Sequence, residues 1–136
     1  MPASLSPALS PLLRRALQLD AAASGATALL LALGAAPLSG PLALPEGLLR
    51  GAGVALLPFV ALLGVLVARG RAARPTLKAV VAVNALWAAD SVLLLLTGWV
   101  HPSALGVAFV LAQAAAVGGF AVLQAAGLRA APLAHA

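Results

Sequence analysis

Four long apolar runs, separated by short gaps, constrain this chain more than any other feature. They cover about Ala16–Ala36, Leu48–Ala68, Ala79–Gly98 and Ala104–Gly127. At 1.5 Å per residue, ~20 helical residues cross the ~30 Å hydrocarbon core of a bilayer. Only 8% of the residues are charged, against about 25% in soluble domains. So few charges cannot cover a water-facing surface. The expectation is an all-α membrane protein whose four transmembrane helices form an antiparallel bundle over residues 14–129. Residues 1–13, rich in Ser, Pro and Ala, read as a mobile tail, and 130–136 as a short C-terminal tail. Pro58 is expected to kink the second helix, and the prolines and glycines of 37–47 mark a turn region.

The basic residues lie in the gaps, and they set an orientation. Arg14 and Arg15 precede the first run; Arg69, Arg71, Arg74 and Lys78 separate the second from the third; Arg129 follows the fourth. Only Arg50 lies on the other side, four residues after Glu46. The positive-inside rule then puts both termini and the middle loop in the cytoplasm. The compartment expected is the inner membrane of a bacterium, a source suggested by the excess of Arg over Lys. A cleaved signal peptide is the competing reading of the first run, but a signal core of 7–15 apolar residues is shorter. The net charge of +5 does not point to nucleic acid, because the charges are dispersed along membrane-edge loops. The lipid bilayer is the expected partner, with a second copy or another membrane protein left open.

The two halves resemble one another. At an offset of 64 residues Asp20 falls on Asn84, Thr27 on Ser91 and Gly34 on Gly98, and the leucine runs coincide. With a small gap, Phe59 falls near Phe120. Each half would be a two-helix hairpin, the pair related by an axis along the membrane normal.

Polar residues inside the runs are the candidates for function. Helical spacing groups Asp20, Ser24 and Thr27 on one face of the first helix and Asn84, Trp87 and Ser91 on one face of the third, with Asp90 beside Trp87. Gln113 and Gln124 share a stripe on the fourth. The second helix offers a small-residue face of Gly53, Leu57, Ala61 and Gly64, suited to close packing. Counting from the flanking charges puts Asp20, Asn84 and Gln124 at one height, ~8–9 Å in from the basic edge. Thr27, Asp90, Ser91 and Gln113 fall near the midplane. The sum is a polar seam that binds a ligand or glues the bundle.

Asp90 draws most weight, since an ionised acid at that depth costs about 2.5–3.5 kcal/mol on insertion scales. It is expected to be protonated, hydrated by a cavity, or bonded to donors such as Ser91 and Gln113. Its functional reading is a proton carrier or ligand contact; its bland reading is a bridge between helices. Asp20 could meet Arg14 and Arg15 at the interface. No cofactor, metal or catalytic residue is assigned: cysteine is absent, and His101 and His135 lie outside the runs. In size and in having an acid in the first helix, the layout is similar to the small multidrug resistance transporters. It departs from them in having Asp for Glu, no Tyr and a strong charge bias. It is also similar in layout to DoxX-like membrane proteins. A small, proton-coupled transporter, an accessory subunit of a membrane complex and, last, a quinone-site enzyme are the functions weighed.

Overall fold

A computed structural model describes residues 7–130. The outer parts of both expected tails, 1–6 and 131–136, lie outside the described residues. Four helices follow in order: α1 (Pro11–Leu42), α2 (Glu46–Arg69), α3 (Arg74–Thr97) and α4 (Ala104–Ala130). All four are long and apolar enough to cross a membrane, and no β-strand is present among the described residues. Large side chains such as Leu33, Leu86, Leu96 and Val122 point outward and are more than half exposed. A continuous apolar exterior of this kind marks a surface built for a non-aqueous neighbour.

α1 packs against α2 and α4, and α4 packs against α3, while the backbones of α2 and α3 do not approach one another. Glycine sets the closest approaches. A Cβ on Gly53 would collide with the backbone of α1 at Ala28 and Ala32, and one on Gly106 would collide with the Leu42 carbonyl. Gly127 sits on Leu13, where a Cβ would come within 2.9 Å of its side chain. The expected small-residue face of α2 is corrected here. Its buried side is Leu49, Gly53, Leu56, Leu63 and Leu66, whereas Gly64 faces open space and Leu57 is exposed. Burying leucine removes more apolar surface than burying glycine, so the leucine stripe wins.

Two apolar clusters close the ends. At the basic end, Leu13, Leu17, Leu63, Leu66, Leu77 and Val80 pack together with Leu128. At the far end, Leu31, Ala35, Leu42, Leu44 and Leu49 pack with Val110.

Both ends of α1 depart from expectation. The helix starts at Pro11, capped by the Ser10 hydroxyl, which accepts from the Leu13 N–H. Residues 7–10 are not a free tail: Leu9 N–H donates to Gly70 C=O at 2.9 Å, Ala72 N–H donates to Pro7 C=O at 3.2 Å, and Ala8 and Arg71 form a β-bridge. At the other end α1 runs through Pro37 and Pro41 instead of turning. A proline inside a helix removes a backbone donor, and neighbouring groups can make good the loss. Ser103 serves the open carbonyls at the helix's C-terminal end: its N–H donates to Leu42 C=O and its hydroxyl donates to Pro41 C=O at 2.7 Å. The same hydroxyl accepts from Gly106 N–H, capping α4. The extension also buries Leu42 and lets Ala43 turn the chain in the left-handed region, at φ 52°. α2 continues as helix through Pro58.

Candidate functional site

A single acceptor group organises the interior. Asp20 is fully buried on α1, one turn before Ser24. The Ser24 hydroxyl donates to Asp20 Oδ1 at 2.6 Å. Across the bundle, Asn84 Nδ2 on α3 and Gln124 Nε2 on α4 both donate to Asp20 Oδ2 at 2.7 Å. Asn84 Nδ2 also donates to Gln124 Oε1 at 2.9 Å. Three helices are thus tied in one layer by groups that are nearly or wholly inaccessible. The equal heights counted from the flanking charges are what allow them to meet. Asp20 and Asn84, 64 positions apart, touch directly.

No cation joins this layer among the described residues. Arg14 and Arg15 are exposed, and Arg14 lies by Gly70, so the expected encounter with Asp20 does not occur. The one ion pair among the described residues is the exposed Glu46–Arg50 contact at 2.8 Å. Ser24, Asn84 and Gln124 therefore do for Asp20 what an arginine does elsewhere, with dipoles in place of charge. A carboxylate can accept several such bonds at once.

Directly above, toward the far end, lies a cavity of about 140 Å³ between all four helices. Its floor includes Ser24 and Asn84, and its walls include Phe59, Trp87 and Phe120. Both N–H groups of Asn84 point down into the Asp20 layer. Its Oδ1 has no partner, yet no buried side-chain oxygen lacks one among the described residues. Asn84 lines the cavity, and its Oδ1 keeps free acceptor capacity. Thr27 also lines the cavity, with its hydroxyl donating back to Ala23 C=O.

Trp87 and Gln113 form the roof. Trp87 Nε1 donates to Gln113 Oε1 at 2.8 Å, Gln113 Nε2 donates to Ser91 Oγ at 2.9 Å, and Ser91 donates to Trp87 C=O. The same two residues also line a second, larger hollow of about 450 Å³, where α2 and α3 diverge. Asp90 and Ser91 sit on that hollow's wall with Phe109. The hydrogen-bonded pair thus stands in the wall of both hollows.

Asp90 is placed otherwise than expected. It is exposed and makes no hydrogen bond among the described residues. Gln113 and Ser91, the expected donors, are committed to each other and to Trp87. The interior acid is Asp20, and Asp90 stands at the mouth of the groove. Sequence reasoning missed the part played by Ser103, although Pro-Ser-Ala ahead of an apolar run is a helix-cap signal. It also missed Arg74, which donates to Leu128 C=O at the end of α4. Phe59 had been noted only as a repeat position, not as a wall. No three metal-binding side chains come together among the described residues.

Fold and site together define a four-helix protein of membrane-spanning dimensions with a polar layer beneath an aromatic-walled cavity. No protein-family model, no curated protein and no solved structure matches the chain.

Proposed function

We propose that this chain is an integral membrane protein that binds a small solute inside its bundle and passes it across the bilayer. In this reading the four helices are transmembrane, arranged as two repeated hairpins. The basic end faces the cytoplasm of the inner membrane, and the groove between α2 and α3 gives solutes access from the other side. One observation carries the reading: the cavity is lined by Asn84, whose Oδ1 accepts no hydrogen bond among the described residues, and lies beside a buried acid with no counter-charge among them. A bundle held only by interhelical glue has no use for a hollow at that place, since voids cost stability.

The test is native mass spectrometry of the protein extracted gently from its own membrane, wild type beside Ala55→Phe. Ala55 lines the cavity, and a phenyl ring there fills most of it. A small molecule bound to wild type and lost from the variant supports the reading. Bare protein in both sinks it. A second reading, an accessory subunit, is favoured by Asp90: an exposed acid beside an open groove suits a helix of another chain carrying an amide or basic group. That reading predicts a heteromeric mass that shifts on Asp90→Leu and is indifferent to Ala55→Phe.

A further inference from the structure

The four helices form an open ring. α2 packs on α1, α1 on α4 and α4 on α3, but the contact of α2 with α3 that would close the circle is missing. The groove of about 450 Å³ lies in that gap. Leu48 and Leu94 belong to its apolar lining, and Gly51 keeps its α2 side flat, with open space where a Cβ would lie. Among its polar residues, Trp87, Ser91 and Gln113 are bonded to one another. Asp90 is left over, exposed and without a hydrogen bond among the described residues.

Asp90 stands seven residues before Thr97, the end of α3, which puts it ~10 Å inside a helix long enough to cross a membrane. Acids at such depths pair with another group or face a water-filled cavity. This chain offers no partner. Seven of its eight basic residues lie toward the opposite end of the bundle. The eighth, Arg50 on α2, is taken by Glu46 at 2.8 Å. A lipid chain suits the apolar walls of the groove but offers the carboxylate nothing. A helix with a cation at the matching height suits both.

We infer that this groove docks a transmembrane helix of a partner protein, one that carries a lysine or arginine ~10 Å in from its end on the same side. The inference rests on the accessory-subunit reading above and names the partner's chemistry. The helix completes the ring between α2 and α3. Its backbone comes close at Gly51, and its cation meets the Asp90 carboxylate. Complementary charges of this kind fix which partner binds and at what register. Seated there, the helix also covers Trp87 and Gln113, and with them the solute access proposed above.

The probe is a synthetic leucine–alanine transmembrane helix with one lysine about seven residues from one end and a dansyl group at that end. In a Trp99→Phe background Trp87 is the only tryptophan. Because Trp87 lines the groove, energy transfer to the dansyl group in phosphatidylcholine vesicles reports docking. The lysine helix is expected to bind saturably, about five- to thirty-fold more tightly than the same helix with leucine there, the range of a polar contact between membrane helices. Asp90→Leu should erase that preference and leave helical circular dichroism unchanged, since Asp90 holds nothing in its own bundle. Asp90→Lys should reverse it, favouring a helix with aspartate in place of lysine. Gly51→Leu, whose side chain has space to enter, should block docking by filling the groove.

Equal binding of the lysine and leucine helices overturns the inference and leaves the groove to lipid. Failure of the lysine helix to bind folded wild-type protein overturns it too. So does energy transfer between two labelled copies of this chain that is lost on Gly51→Leu, which assigns the groove to a second copy. If native mass spectrometry shows a heteromer lost on Asp90→Leu while the lysine helix fails to bind, the partner's chemistry falls and the accessory reading stands. If there is no heteromer and the lysine helix fails, both fall.

Discussion

Removing the Asn84 amide should cost far more than removing the whole polar layer. Asn84→Leu deletes two hydrogen bonds, to Asp20 Oδ2 at 2.7 Å and to Gln124 Oε1 at 2.9 Å. Interhelical hydrogen bonds in membranes average about 0.6 kcal/mol, so the two lost bonds account for about 1 kcal/mol. Gln124 Oε1 is then left buried without a donor, at a cost of about 1–3 kcal/mol. Asp20 keeps only Ser24 and Gln124, which adds to the penalty. The expected destabilisation is about 3 kcal/mol.

Replacing the three cross-helix residues, Asp20→Leu with Asn84→Leu and Gln124→Leu, removes their donors and acceptors together and leaves only the Ser24 hydroxyl, which can donate to a backbone carbonyl one turn back in its own helix. Apolar replacement of a complete buried network is often neutral or stabilising. The bundle already buries two leucines fully, Leu63 and Leu17, the second of them three positions before Asp20. The triple variant should therefore lie within about 1 kcal/mol of wild type. The assay is equilibrium unfolding in mixed micelles, followed by helical circular dichroism. A triple variant less stable than Asn84→Leu would refute the reasoning, because the layer would then hold the fold by net attraction and not by mutual satisfaction.

Gly53→Leu should separate α1 from α2, since even a Cβ at that point meets the α1 backbone; a loss of thermal stability is expected, and an unchanged melting temperature in nanodiscs would count against the packing. Gln113→Leu removes the only acceptor of the Trp87 indole N–H, so with Trp99→Phe the tryptophan emission should shift to shorter wavelength. Glu46→Ala breaks an exposed i,i+4 pair, and unfolding measurements should register a change under about 0.5 kcal/mol. A C-terminal alkaline phosphatase fusion should be inactive and a fusion within residues 99–103 active; the reverse pattern would invert the proposed orientation.

What could be read from the sequence was what depends on counting along one helix. The heights of Asp20, Asn84 and Gln124 follow from their distances to the flanking charges, and the rise per residue is the same everywhere. Asp90 misled because its surroundings depend on how other donors are shared. Gln113 has one amide, and the Trp87 indole and Ser91 take it. The prolines of α1 misled for a related reason. The rule against proline in helices is local, whereas the end of the extended helix is held by Ser103, 62 positions from Pro41, which donates to the Pro41 carbonyl. The pairing of residues 7–9 with 70–72 likewise needs two chain segments brought together by the whole bundle.

The bonds that hold Asp20 also fix when it can be held. A chain is made from its N terminus, and α1 emerges first. At that moment Asp20 has one donor, Ser24, within its own helix. Asn84 follows 64 residues later and Gln124 only after 104. The polar layer therefore closes last, once α4 exists. A product cut short before α4 has an acid with an unfilled acceptor site and a bundle missing the helix that joins α1 to α3. The coordination of one carboxylate is thus complete only when α1, α3 and α4 are all in place.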